Sequence, residues 1–344
     1  MRKKNVLMFT QVCIAFCLCL TLTSVSPAPV SAETVTLTYS SFFPPTHIQS
    51  QLSESWCKEV EARTEGRIKV QYYAGQTLTN AKQTYDGVID GIADIGLSGL
   101  AYTRGRFPLM SSIDLPFGYV SGVAATTAAN DLYAKFTPKE FEDTKVLYFH
   151  AHGPGFLHTR NKPVKTLEDM KGLKVRSTGT SAEVATALGG TPVPMPMPDS
   201  YESLQKGVVD ASLHPVEANK GWKLGEVTKY ATFAYPAAYT TTFFVVMNKG
   251  KWDKIDPKDQ KIIEEINKEW ADKHGEAWDT SDMEGVRFFQ QQGNTILGLD
   301  PKESARWEKA VSPMIDAYAA DLDKKGLNGK AAVETIRESL KKFQ

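Results

Sequence analysis

The sequence predicts an α/β protein of two lobes that close on each other as a clamp, joined by hinge strands and long helices. Three observations carry this expectation. After an N-terminal apolar run, short β-rich stretches alternate with segments of helical apolar spacing in β-α-β-α-β order, which is the order of a mainly parallel sheet. A unit of helix, glycine, aspartate and strand then occurs twice. Tyr85, Val88, Gly91, Ile92 and Asp94 match Tyr201, Leu204, Gly207, Val208 and Asp210 at a constant offset of 116 residues. That offset is too long for a solenoid repeat and fits two lobes built on one plan. Finally, residues 239–247 (YTTTFFVVM) form a long β-branched and aromatic run ahead of a long helical region, and read as a strand returning from the second lobe to the first. A chain that crosses between lobes more than once keeps a hinge.

Residues 1–32 read as a targeting segment. Arg2, Lys3 and Lys4 precede an apolar stretch, and Val30-Ser-Ala32 has the small-residue pattern of a cleavage site. A soluble protein exported to the periplasm is expected. Residues 34–39 alternate as a first strand, followed by a loop at 40–46. Thr46 and Gln49 have the spacing of a capping box, and the helix after them carries Ile48, Leu52, Trp56 and Val60 on one face. A second strand spans 66–73, and the first copy of the repeated unit follows. In parallel sheets ligands lie beyond the carboxyl ends of strands, so the loops 40–46 and 98–102 become candidate site loops, with Ser98 and Tyr102 as polar candidates. Residues 107–119 read as an irregular packed connection and 144–149 as another strand. The two glycines of 150–156 suit a crossing between lobes. Short helical turns near 167–170 lead to Gly172-Leu-Lys-Val-Arg176, a strand, and on through the second copy of the unit. Helices are expected from Asp256 to about Gln292, from Asp300 and from Asn328. The lobes are then bounded as 33–153 with 242–281, and 154–241 with 282–344.

Composition narrows the function. Without the three N-terminal cations, the 40 Lys and Arg of the whole chain fall to 37 against 40 Asp and Glu, a net charge near −3. Neither nucleic acid nor an acidic membrane is indicated as a partner. Of the four cysteines only Cys57 lies beyond residue 32, so no intramolecular disulfide and no thiolate metal site are available. Gly96-Leu-Ser98-Gly99 is not a nucleophile elbow, and no zinc-protease, P-loop or dinucleotide motif is present. No catalytic residue, cofactor or metal is therefore assigned. His150 and His152, two apart, read as ordinary surface histidines, because a catalytic zinc needs a third ligand. Arg176 ends a strand beside Ser177-Thr-Gly-Thr-Ser181 at a helix start, a place where a guanidinium and unpaired N–H groups can take an anion. The alternative for Arg176 is a surface ion pair. His214 leaves the second repeated unit at the same sheet edge, as a donor to ligand or as a structural group. Glu217 either pairs with Lys220 or reaches the site.

The stretch GLKVRSTGTSAEVATALGGTPVPMPMPDSYESLQKGVVDASLHPVE resembles the solute-binding proteins of tripartite ATP-independent periplasmic (TRAP) transporters, the DctP-like family. The likeness continues upstream in YAGQTLTNAKQTYDGVIDGIADIGLSGLAYTRGRFPLMSSIDLPF and downstream in YTTTFFVVMNKGKW. It implies two α/β lobes that close on a small organic anion and deliver it to a membrane permease pair. It also implies that Arg176 pairs with the ligand carboxylate. A second arginine found in many members falls here on Phe156, and an Asn common before the strand-exit proline is replaced by His214. Met197 and Trp222 fall on positions of the pocket wall, and with Phe156 and Tyr239 are expected to shape it. One firm arginine among apolar walls favours a mono-anion, a carboxylate with an apolar or aromatic body ahead of a sulfonate. A monomer is expected. A sensor presenting its ligand to a receptor kinase is the alternative of another class, and an exported hydrolase a distant third.

Overall fold

The computed structural model describes residues 34–343; the expected targeting segment lies outside the described residues. In chain order the first part runs β1 (Val35–Ser41), α1 (Ile48–Arg63), β2 (Ile68–Tyr73), α2 (Thr84–Ile89), β3 (Ile95–Gly99), α3 (Gly122–Phe136) and β4 (Thr144–Ala151). The middle runs β5 (Gly155–Thr159), β6 (Lys174–Ser177), α4 (Thr180–Ala187), β7 (Thr191–Pro194), α5 (Ser200–Gln205), β8 (Ala211–Pro215), the single turn α6 (Ala218–Gly221) and β9 (Tyr230–Phe233). Then come β10 (Thr242–Asn248), the turn α7 (Lys249–Trp252), the 35-residue α8 (Pro257–Gln291), β11 (Thr295–Gly298), α9 (Pro301–Val311), α10 (Pro313–Lys324) and α11 (Gly329–Leu340). No described helix is long and apolar enough to cross a membrane.

Two sheets result, ordered β2-β1-β3-β10-β4 and β11-β9-β5-β8-β6-β7. The repeated unit explains their likeness. β2-β1-β3 and β7-β6-β8 are each wholly parallel, and each is flanked by an antiparallel strand, β10 or β5, laid against the end of the unit. Gly91 and Gly207 end the helices at φ +75° and +74°, a left-handed conformation that costs other residues roughly 1–2 kcal/mol. Asp94 and Asp210 then reach back to the neighbouring strand, accepting from the N–H of Thr38 at 2.8 Å and of Lys174 at 3.0 Å. A backbone donor at the start of each pairing is thereby satisfied, which fixes the strand's register against the unit.

The chain passes between the sheets three times. β4 of the first leads directly to β5 of the second, β9 of the second returns to β10 of the first, and α8 packs on α1, α3 and β4 before reaching α6 and β11. At 1.5 Å per residue α8 is roughly 50 Å long, enough to brace both lobes.

Several sequence expectations change. The N-cap of α1 is His47, not Thr46: its Nδ1 accepts from the Gln49 N–H at 3.2 Å. The buried face of α1 is Gln49, Ser50, Ser53, Trp56, Cys57 and Val60, turned away from Ile48, because the start of this helix packs on polar groups. His150 and His152 are buried rather than on the surface, since β4 runs on past Phe149 into the interior. The segment after Tyr119, for which the pattern gave no element, forms α3, whose alanines pack into the first lobe's core. The last helix, grouped by sequence order with the second lobe, packs on α3 of the first and puts Ala332, Ile336 and Leu340 into that core.

Candidate functional site

The carboxyl ends of β1 and β3 face those of β6 and β8 across a narrow cavity lined from both sides. From the first lobe come Phe42 and Phe43, in the loop after β1, and Phe243 on β10. Trp278 on α8 and Trp222 after α6 complete an aromatic enclosure. The rings support one another: Phe43 lies 5.5 Å from Phe243, which stacks on Trp278 at 5.5 Å and 18°. Three hydrogen bonds close the lobes around the cavity. Thr178 Oγ1 donates to the Ala101 carbonyl at 3.2 Å, the Met197 N–H donates to the Tyr102 hydroxyl at 3.4 Å, and His47 Nε2 meets Glu217 Oε2 at 3.0 Å.

Arg176 is 2% exposed. Its Nε and Nη2 donate to the Met195 carbonyl at 3.2 and 2.9 Å, and Nη1 donates to the Leu213 carbonyl at 3.1 Å. Three of the five guanidinium N–H groups are thus held by backbone, and two remain. Backbone carbonyls aim the group without neutralising it, so a buried positive charge lines the cavity with two N–H groups beyond those the backbone takes. Burial of such a charge is costly unless an anion completes it.

The histidines around this charge are neutral. His214 is fully buried, with Nδ1 2.9 Å from Ser212 Oγ and its ring stacked on His158 at 3.8 Å. Burial pushes it well below the ordinary imidazole range, and His158 and Arg176 push the same way. Its Nε2 has no hydrogen-bond partner among the described residues. His152 is lowered to about 4, mainly by burial, with Arg176 adding to the shift and the bond to the Gly153 carbonyl opposing it. That bond, 2.5 Å from Nδ1, places the proton on Nδ1 and leaves Nε2 an acceptor.

Residues 39–321 match the family model of the bacterial extracellular solute-binding proteins, family 7, named DctP. The chain belongs to this family. It comprises the solute-binding proteins of TRAP transporters, which are transport receptors and not enzymes. Among curated relatives, the 2,3-diketo-L-gulonate-binding periplasmic protein YiaO of Escherichia coli is 30% identical over 59% of this chain and 63% of its own length. Solved TRAP solute-binding proteins align more fully. One from a marine metagenome, in complex with 3-hydroxybenzoate, is 30% identical with a TM-score of 0.86 over 91% of this chain and 99% of its own. One from Rhodoferax ferrireducens, in complex with benzoate, is 30% identical with a TM-score of 0.84 over 90% and 98%. One from Bordetella bronchiseptica, with bound mandelate, is 31% identical with a TM-score of 0.85 over 90% and 100%.

In this DctP-family chain the cavity gathers seven of the nine residues expected from sequence: Arg176, His214, Glu217, Met197, Trp222, Tyr102 and Tyr239. Ser98 is absent from it; its hydroxyl is buried and donates to the Ala81 carbonyl at 2.6 Å. Phe156 is absent too. It stacks across strands on Phe233 at 4.4 Å, in a small cluster with Val216 and Ala238. Glu217 does not pair with Lys220, which bonds Glu284 instead. The helix start after Arg176 is divided: Thr178 lines the cavity, whereas Gly179 and Thr180 line a separate groove beside Ala101 and Tyr318. Phe42, Phe43, Phe243 and Trp278 were not singled out, and His152 only as a surface histidine. The paired phenylalanines had a signal, since they stand in a loop marked as a site loop. Phe243 and Trp278 had none, because a cavity-facing aromatic on a core strand or an amphipathic helix looks like any core aromatic.

Proposed function

We propose that this protein is a periplasmic receptor for an aromatic monocarboxylate, which it hands to a TRAP permease. One observation carries the reading: the buried guanidinium of Arg176, with two N–H groups beyond those the backbone takes, lines a cavity walled by aromatic rings. A carboxylate takes both donors side by side, and a ring attached to it meets apolar surface instead of water. Among the residues lining the cavity Arg176 is the single permanent cation, which suits one carboxylate and not two. The solved relatives near 30% identity hold benzoate, 3-hydroxybenzoate and mandelate, in line with this choice. Those holding sugar acids are 16–21% identical and bear on the fold alone. No feature of the site favours presentation to a receptor kinase.

A thermal-shift screen tests the reading, since a ligand bound only by the native state raises Tm. Aromatic monocarboxylates at saturating concentration are expected to raise Tm by several degrees, and dicarboxylates, hexuronates and neutral sugars to leave it within a degree. A shift from a neutral sugar with none from any acid would overturn the proposal.

A further inference from the structure

Glu217 is an odd wall for an anion site. It is 2% exposed and lines the same cavity as Arg176, where its charge repels an incoming carboxylate and the π-face of a ring alike. Its arrangement is nonetheless fixed. His47 Nδ1 accepts from the Gln49 N–H, so the imidazole proton is on Nε2 and is donated to Glu217 Oε2. Asp282 Oδ1 accepts the Glu217 N–H at 2.8 Å, holding the backbone. Two close approaches guard the pair. A Cβ at Gly221 would lie 2.6 Å from Glu217 Oε2 and 2.8 Å from His47 Nε2. The second carboxylate oxygen, Oε1, takes no hydrogen bond from the described residues.

A carboxylate so positioned only accepts hydrogen bonds. His152 presents a second acceptor, Nε2, to the same cavity. Glu217 Oε1 and His152 Nε2 as acceptors, with the spare N–H groups of Arg176 and the unpaired Nε2 of His214, suit a ligand with an acid at one end and a donor elsewhere. We propose that Glu217, held by His47, reads a hydroxyl on the ligand, so that the receptor prefers hydroxylated aromatic acids to unsubstituted ones. The inference rests on the aromatic-acid reading above and names its specificity residue. A site built to bond a hydroxyl discriminates strongly against the analogue lacking it, because the buried acceptor is then left unpaired.

The experiment is calorimetric titration of the purified protein with benzoate, 3-hydroxybenzoate, mandelate and 3-methoxybenzoate, the last matching the hydroxy acid in shape but without a donor. The wild type is expected to bind at least one hydroxy acid about tenfold or more tighter than benzoate, with 3-methoxybenzoate no better than benzoate. Glu217→Gln removes the charge and supplies a donor of its own. It is expected to weaken the hydroxy acid, tighten benzoate, and so collapse their ratio to within about threefold. A role for Glu217 limited to closing the lobes would lower all affinities together and leave the ratio standing, which overturns the inference. Equal wild-type affinities for benzoate and both hydroxy acids overturn it without any variant and leave the aromatic-acid reading intact. Binding of none of these acids overturns both.

Discussion

The two repeated units invite comparison residue by residue. Ser40 pairs with Gly96 in the first sheet as Arg176 pairs with Ser212 in the second, and Gly96 and Ser212 are equivalent by the offset of 116. Ser40 and Arg176 therefore occupy one position on two copies of a frame. Ser98 and His214 are another such couple. In the first lobe both positions hold small hydroxyls turned to structural use: Ser40 Oγ bonds Thr79 Oγ1 at 2.7 Å and Ser98 bonds the Ala81 carbonyl. In the second they hold the cation and an imidazole of the cavity. The frame comes from glycine caps and aspartate anchors that the lobes share, while the polarity of the cleft comes from what each lobe places at the same strand ends. Arg176, His214 and Glu217 all come from the second lobe, whereas both lobes contribute aromatic rings.

This asymmetry is breakable, and the largest effect is expected from erasing it. Ser40→Arg puts a second guanidinium where the site is fully buried and already hydrogen-bonded. A loss of several kcal/mol, of the order seen for unpaired buried charge, is expected in urea unfolding. Wild-type stability in this variant would show that the first lobe can host the cation as readily as the second.

Acid should act on both lobes. Each holds a buried stacked imidazole pair, His150 on His274 at 4.4 Å and His158 on His214 at 3.8 Å. Burial lowers all four, His158 and His274 to about 3. A histidine lowered in the folded state takes up its proton more readily when unfolded, at an ordinary value of about 6.5. Stability is accordingly full above that value and lost as pH falls below it toward the folded values. From His152, His158 and His274 alone the loss by pH 4.5 is on the order of 8 kcal/mol, and a pH series of urea midpoints checks it. A flat series down to pH 4.5 would mean that these imidazoles protonate without cost in the folded chain.

The aspartate anchors differ in a graded way. Asp94 accepts from both N and Oγ1 of Thr38 and pairs with Lys251 at 3.1 Å, whereas Asp210 holds the N–H of Lys174. Asp94→Ala is expected to cost about 2–3 kcal/mol and Asp210→Ala about 1 kcal/mol. The smallest difference concerns the caps. Gly91→Ala and Gly207→Ala share the left-handed φ and each should cost about 1 kcal/mol. A Cβ at Gly207 also meets Arg160 Nη1 at 2.9 Å, but that side chain can move. Equal midpoints for the two variants support one frame in both lobes.

The sequence made legible what local chemistry dictates. Glycine, aspartate and apolar spacing announced both units, and a strand-ending arginine beside Ser/Gly/Thr announced Arg176. Contacts made by closure were out of reach. His47 and Glu217 are 170 residues apart, and only the closed lobes join them, so Lys220 seemed the nearer partner. Phe156 failed for a related reason. Counting along a strand gave its position, but its ring is claimed by the cross-strand neighbour Phe233, which no pattern near residue 156 reveals. His150 and His152 misled because their type is usually exposed, whereas here both are buried and His152 lines the cavity.

The claim that the second lobe supplies the charge that chooses the ligand is tested most directly by titrating benzoate and its neutral isostere benzamide into wild type and Arg176→Ala. Wild type is expected to bind benzoate at least about 100-fold tighter than benzamide, roughly 3 kcal/mol for a desolvated charge pair, and Arg176→Ala to abolish the difference while remaining folded by circular dichroism. A preference for benzoate that survives in Arg176→Ala, or no preference in wild type, would contradict that claim.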